Sequence, residues 1–135
     1  MPKKRLSLIL GFSALLSGFL IYVLFRGETY IAKMFYWLPF LAELQAVLKE
    51  SPNAVIKYYV PDFLWAFSLF CFLYVAYPTG KWRLKLCAAV TFMAGALWEA
   101  LQFWGVFAGT GDISDITAYF VACLLAMIIL KERKL

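Results

Sequence analysis

Apolar runs long enough to cross a lipid bilayer are the feature that most constrains the fold of this chain. Residues 6–25 include no charged side chain. A helix of that length, at about 1.5 Å of rise per residue, covers a hydrocarbon core of roughly 30 Å. Three further apolar runs occupy residues 61–77, 84–106 and 113–130. We therefore expect one all-α domain over residues 1–135, an integral membrane bundle of four helices.

The composition agrees with a lipid environment. Hydrophobic residues make up 64% of the chain and charged residues 16%, against about 45–50% and about 25% in an ordinary soluble domain. So few charges could not cover the core that so many apolar side chains would form. The composition therefore excludes a soluble enzyme, a disordered chain and a disulfide-linked secreted domain. The net charge of +5 comes from short basic clusters beside apolar runs, which indicates membrane orientation and no nucleic-acid partner.

Chemistry that depends on His or Cys has little support in this sequence. The chain has no His, and Cys71, Cys87 and Cys123 each lie inside an apolar run without a C-x-x-C pair. Desolvated free cysteines behave as small hydrophobic residues. Zinc sites, haem sites and Ser-His-Asp or Cys-His catalysis lack their usual ligands and base. We expect no cofactor of these kinds.

Lys and Arg are distributed unequally among the predicted loops. Four of them lie on one side of the membrane, at Arg26, Lys33, Lys49 and Lys57. The other nine lie near the two termini and between the second and third runs, at Lys3, Lys4, Arg5, Lys81, Arg83, Lys85, Lys131, Arg133 and Lys134. Cytoplasmic loops carry the excess of basic residues. We therefore predict a multi-pass protein of the cell membrane with both termini in the cytoplasm.

The first extracytoplasmic loop is predicted to contain a short amphipathic helix at residues 40–50. Pro39 suits a first helical position, and Phe40, Leu44 and Val47 share one arc at 100° per residue. A helix this short cannot span the bilayer, so we predict that it lies along the outer interface. A re-entrant segment that seals the outer mouth of the bundle is the alternative that the sequence leaves open.

One ionisable residue, Glu99, lies well inside an apolar run. A charge near the middle of the bilayer costs about 2.5–3.5 kcal/mol on insertion scales, so such a residue is a functional candidate. Gln102 shares its helix face at a spacing of three, and Thr91 and Gly95 precede it at successive spacings of four. This face should pack inward against other helices.

Further acidic residues are predicted at the same outer level as Glu99. Asp62 begins the second span, and Asp112 and Asp115 begin the fourth. Tyr119 shares a helix face with Asp115 at a spacing of four. The predicted topology therefore gathers these side chains into a pocket open to the outer leaflet. The alternative for Asp62, Asp112 and Asp115 is a structural role as acids at helix N-termini.

The stretch Trp98-Glu99-Ala100-Leu101-Gln102, followed by Asp112-Ile113-Ser114-Asp115 and a last apolar run, resembles the VanZ-like family of small bacterial membrane proteins. In that family an E-x-x-Q pair ends one span and a D-x-x-D pair opens the last. The resemblance implies that Glu99, Gln102, Asp112 and Asp115 are signature polar positions. The family's name comes from low-level resistance to the glycopeptide antibiotic teicoplanin, which implies contact with cell-envelope lipids or precursors and no defined reaction.

Three classes of function fit these features. The first is a non-enzymatic cell-envelope protein whose outward-facing acidic pocket binds a lipid, a lipid-linked precursor or a glycopeptide-type ligand. Because carboxylates and amides accept hydrogen bonds from hydroxyl and ammonium groups, we favour this class. The second is a membrane enzyme for a lipid-linked substrate, with Mg²⁺ or Mn²⁺ held by Asp62, Glu99, Asp112 and Asp115. The third is a subunit of a larger membrane assembly.

The distribution of basic residues predicts which loops an external reagent reaches. In a variant without its native cysteines, Ser51→Cys and Thr110→Cys should react with an impermeant maleimide on intact spheroplasts. Thr79→Cys should be protected because it lies in a cytoplasmic loop. Labelling of Thr79→Cys together with protection of Thr110→Cys would show the inverse orientation.

Overall fold

The computed structural model describes residues 2–25, 39–49, 59–106 and 113–131, and these residues form five helices and no strand. The all-α prediction is confirmed for this part of the chain. In chain order the helices are α1 (Pro2–Phe25), α2 (Pro39–Lys49), α3 (Val60–Ala76), α4 (Arg83–Phe103) and α5 (Ile113–Leu130).

Helix α4 ends three residues before the end of the apolar run that predicted it, because Gly105 terminates it. Gly105 has a φ of 76°, a left-handed conformation that glycine adopts without a steric penalty. Its N–H donates to the Gln102 carbonyl at 3.1 Å, and the Val106 N–H donates to the Leu101 carbonyl at 2.9 Å. This pair of bonds is a Schellman motif, which satisfies carbonyls at the helix end.

Two buried serines join α1 to α3, which run antiparallel. Ser7 Oγ donates to the Cys71 carbonyl oxygen at 2.7 Å, and Ser68 Oγ donates to the Gly11 carbonyl oxygen at 2.9 Å. Both side chains are almost fully buried. Small residues let helix backbones approach closely, and a Cβ added at Gly11 would lie 3.1 Å from Cys71 Cβ. Ser7 and Gly11 of α1 therefore face α3.

The core lies where α3, α4 and α5 meet. Phe70 and Tyr74 of α3 and Tyr119 of α5 are its largest buried side chains, and they pack beside small residues such as Ala122 and Ala126. Alternating large and small side chains lets packed helices interdigitate. The three cysteines are free and buried, which agrees with the prediction that they serve as small hydrophobic residues.

Large apolar side chains cover much of the outer surface of the bundle. On α1, Ile9, Phe12 and Leu16 are each more than 60% exposed, and on α5 Ile128 is 71% exposed. Two segments, Lys3–Ile21 and Arg83–Phe103, are long and apolar enough to cross a membrane, and less than a quarter of each is buried. Helices α3 and α5 are apolar but slightly shorter. Much of the apolar surface of α1, α4 and α5 therefore lies on the outside of the bundle.

The short helix predicted in the first loop is confirmed as α2. It packs against α1. Phe40 and Val47, from its predicted apolar arc, are 73% and 72% exposed, and Leu44 is partly buried. Phe40 and Val47 are therefore not covered by the described parts of the bundle, whereas Leu44 is covered in part.

Gly95 allows a close approach of α4 to α5. A Cβ added at this position would lie 2.5 Å from Cδ2 and 2.8 Å from Cε2 of Tyr119. The aromatic ring therefore rests directly on the glycine backbone, which agrees with the predicted inward orientation of the Thr91, Gly95 and Glu99 face. All three of these residues are buried.

Gly95→Ala should therefore destabilise the protein by about 1–3 kcal/mol, the usual cost of overpacking a core. Thermal unfolding of the detergent-purified protein would measure the loss. Gly80→Ala is the matched control, because an added Cβ there meets no atom within 4 Å. Equal stability of the two variants would contradict the close packing of Tyr119 on Gly95.

Candidate functional site

Three carboxylates from three different helices meet at one end of the bundle. Asp62 of α3, Glu99 of α4 and Asp115 of α5 each place a carboxylate oxygen within 4.8 Å of the other two. Glu99 is only 6% exposed, and the two aspartates are partly buried. We call these three residues the carboxylate cluster.

The alternating direction of the helices brings these residues to the same level. Asp62 lies in the first turn of α3 and Asp115 in the first turn of α5, whereas Glu99 lies near the last turn of α4. A helix N-terminus carries a partial positive charge, which favours a carboxylate. A helix C-terminus carries a partial negative charge, which disfavours one. The two aspartates thus lie in a favourable helix field, and Glu99 lies in an unfavourable one.

Tyr119 supplies a hydrogen bond to the most buried carboxylate. Its hydroxyl donates to Glu99 Oε1 at 2.8 Å, and Tyr119 is itself only 2% exposed. Because Gly95 has no side chain, the ring can lie against α4 one turn before Glu99. The bond therefore links α4 to α5 beside the cluster. A buried carboxylate needs such donors, because burying a charge without them is costly.

Charge repulsion determines what the cluster can do chemically. Two unit charges 4 Å apart repel by about 4 kcal/mol at an effective dielectric constant of 20. Three carboxylates at this spacing therefore favour a bound positive charge among them. Carboxylate oxygens are also the ligands that Mg²⁺, Mn²⁺ and Ca²⁺ prefer in proteins. The arrangement can bind a metal ion or an ammonium group.

The structure describes less about the other two predicted site residues, Gln102 and Asp112. Gln102 lies about one turn after Glu99 on α4 and is partly buried. Asp112 lies outside the described residues. Among the described residues, the structure brings Asp62, Glu99, Asp115 and Tyr119 together.

An apolar groove lies beside the cluster, between the first turns of α3 and α5. Its volume is about 280 Å³. It is lined by Tyr59, Val60, Phe63, Ser114, Thr117, Ala118 and Val121. Asp62 and Asp115 belong to the same two helix turns as these lining residues. The apolar groove and the carboxylate cluster therefore lie at the same end of the bundle.

Sequence reasoning did not identify the buried polar role of Arg83. The distribution of Lys and Arg predicts only a basic loop residue at this position, yet Arg83 is 6% exposed and its Nε donates to the Tyr74 carbonyl oxygen at 2.8 Å. Its position four residues before Cys87, on the face that continues to Thr91, Gly95 and Glu99, is the signal that could have revealed it.

No family model, curated protein or solved structure matches this chain. The resemblance to the VanZ-like family stays a prediction from the motifs at Glu99, Gln102, Asp112 and Asp115.

The hydrogen bond from Tyr119 to Glu99 can be tested by Tyr119→Phe. Removing the hydroxyl should lower the free energy of unfolding by about 1–3 kcal/mol, the usual cost of leaving a buried acceptor without its hydrogen bond. Tyr77→Phe makes the same change at a partly buried position away from the carboxylate cluster and serves as control. The measurement is thermal unfolding in detergent. Equal unfolding temperatures for the two variants would contradict a stabilising role of the hydrogen bond.

Proposed function

We propose that this chain is a multi-pass membrane protein of the cell envelope whose carboxylate cluster faces outward and binds the positively charged group of a lipid, a lipid-linked precursor or a glycopeptide-type ligand. The observation that carries this proposal is the convergence of Asp62, Glu99 and Asp115 within 4.8 Å. It extends the resemblance to the VanZ-like family, whose signature positions include Glu99 and Asp115.

The exposed apolar surface supports the membrane location. Ile9, Phe12 and Leu16 would be in contact with water in a soluble protein, and so would many apolar side chains of α4 and α5. Contiguous apolar patches larger than a few hundred Å² are rare on soluble monomers. A bilayer removes this cost because its hydrocarbon is as apolar as the side chains.

The distribution of charge supports the outward orientation of the cluster. The carboxylates lie where α3 and α5 begin, whereas Lys81, Arg83 and Lys85 lie around the start of α4. By helical rise, Arg83 and Glu99 are about 24 Å apart along α4. The basic end belongs in the cytoplasm by the positive-inside rule, so the carboxylate cluster belongs near the outer leaflet.

The apolar groove supports a lipid-like ligand. A lipid that places its charged group at Asp62 and Asp115 would have the groove between α3 and α5 available for the start of an acyl chain. Binding sites for small molecules combine mostly apolar walls with a few placed polar groups. Here the groove provides the apolar walls and the carboxylate cluster provides the polar groups.

A membrane enzyme with a bound divalent cation is the second candidate, and the spacing of the carboxylates favours it. Two oxygens on opposite sides of the ion lie about 4.1 Å apart for Mg²⁺ and about 5 Å apart for Ca²⁺, and the cluster has its oxygens within 4.8 Å. Mg²⁺ or Mn²⁺ held there could in turn contact the phosphate of a lipid-linked substrate.

The two candidates can be separated by ligand titration of the purified protein. For the binding protein, phosphatidylethanolamine should raise the unfolding temperature in the presence of a chelator, whereas phosphatidylcholine should have a smaller effect. Asp115→Asn and Glu99→Gln should each weaken this effect, and affinity should fall on the order of tenfold because ligand charge sets affinity for cations. Glu43→Gln is the matched control, since Glu43 is exposed on α2.

A stabilisation that requires Mn²⁺ or Mg²⁺ and disappears in Asp115→Asn would support the enzyme instead. Asp115→Asn and Glu99→Gln variants that respond to every ligand as Glu43→Gln does would contradict both candidates. The three acids would then be helix-end and packing residues only.

A further inference from the structure

A second cavity lies at the opposite end of the bundle from the carboxylate cluster. Its volume is about 350 Å³, which is within the size range of small-molecule sites. It is formed by the end of α3, the turn into α4 and the end of α5, and its lining includes Tyr74, Thr79, Lys81, Arg83, Leu130 and Lys131. We call it the basic cavity, because all three of its charged lining residues are cationic.

Arg83 is held rigidly in the wall of the basic cavity. Its Nε donates to the Tyr74 carbonyl oxygen at 2.8 Å, its Nη2 donates to the same oxygen, and its guanidinium carbon lies 3.7 Å from the Tyr74 ring centroid. A guanidinium has five N–H donors, so these two bonds leave others for a ligand. Among the described residues, no carboxylate forms an ion pair with Arg83, Lys81 or Lys131.

The two lysines of the basic cavity differ from Arg83 because they are exposed. Lys81 lies in the turn before α4, and Lys131 directly follows α5. A guanidinium fixed by hydrogen bonds, with two exposed ammonium groups in the same cavity wall, is a typical arrangement for binding a phosphate group, since Arg donates in a planar fork and Lys acts as a point charge. The basic cavity therefore has the chemistry of an anion site.

The level of the cavity in the bundle indicates the source of the anion. Trp82 is 58% exposed beside the cavity, and the Nζ atoms of Lys81 and Lys85 lie 5.8 and 4.8 Å from the centre of its ring. Exposed Trp with neighbouring Lys is typical of the headgroup region. Basic pockets between membrane helices on the cytoplasmic side bind phosphate headgroups of anionic lipids.

We propose that the basic cavity binds the phosphate group of an anionic lipid of the inner leaflet, with Arg83, Lys81 and Lys131 as its ligands. This inference rests on the proposed membrane insertion and not on the function of the carboxylate cluster. The two sites lie at opposite ends of α4, about 24 Å apart by helical rise, so each can be tested separately.

The test compares two double variants that remove the same amount of charge. Lys81→Gln/Lys131→Gln removes the exposed cations of the cavity, and Arg5→Gln/Lys85→Gln removes two exposed cations of the same end that do not line it. Arg83 is kept, because its bonds to Tyr74 also support the fold. Lipid binding is measured by thermal shift and native mass spectrometry with phosphatidylglycerol, phosphatidylcholine and inorganic phosphate.

Phosphatidylglycerol should bind more tightly than phosphatidylcholine. The cavity variant should lose at least about 30-fold in affinity, since each of its two lysines gives up a charge-assisted hydrogen bond to the phosphate, which contributes more than the diffuse attraction of a surface cation. The control variant should lose less than about fivefold. Equal losses in the two variants would overturn the site in favour of diffuse surface attraction. If inorganic phosphate stabilised the protein and neither lipid bound in preference to the other, the proposal that the bound phosphate group belongs to a lipid would be overturned.

Asp115→Asn distinguishes a failure of this proposal from a failure of the proposed function. It should leave phosphatidylglycerol binding unchanged, because it lies at the other end of the bundle. A variant of the carboxylate cluster that abolished phosphatidylglycerol binding would contradict the basic cavity as an independent site.

Discussion

Burial of Glu99 is the constraint on which the rest of the structure depends. A carboxylate that is 6% exposed in an apolar bundle is tolerated only when donors or cations compensate its lost hydration. The Tyr119 hydroxyl supplies one hydrogen bond, and Gly95 provides the space that lets the aromatic ring reach this position. The approach of α4 to α5, and with it the position of Asp115 near Glu99, follows from this requirement.

The helix directions then give the bundle two chemically different ends. Antiparallel packing of α3, α4 and α5 places the starts of α3 and α5 beside the end of α4, so the acids gather at one end. The same packing places Arg83 and Lys131 at the other end. There, Arg83 and Lys3 donate to carbonyls near the ends of α3 and α5, at Tyr74 and Ile129, where a positive charge is favourable.

The buried face of α4 connects these two ends. Arg83, Cys87, Thr91, Gly95 and Glu99 follow one another at a spacing of four and are all buried. Residues at this spacing form one of the ridges by which helices pack into each other's grooves. Polar and small residues on this ridge fix which side of α4 faces α3 and α5. The ridge therefore sets the rotation that both the carboxylate cluster and the basic cavity require.

The sequence alone determined the helices of the chain and its division into an acidic and a basic end. Run length, apolar content and the clustering of Lys and Arg are local properties, so they predicted an all-α chain, the short helix α2 and an acidic and a basic end. The inward face of α4 also followed from the spacing of Thr91, Gly95 and Glu99. The sequence does not predict that α4 ends as early as Phe103, because the role of Gly105 in ending the helix depends on its backbone angle.

Only the tertiary structure decided which side chains share a site. Asp62, Glu99 and Asp115 could be assigned to one level from the topology, but their separation depends on helix rotation. Rotation is set by contacts between residues distant in sequence, such as Ser68 with Gly11 and Gly95 with Tyr119. For the same reason, the sequence does not predict the burial of Arg83 against Tyr74. A helical period gives relative directions within one helix, whereas contacts between helices fix the distances that chemistry requires.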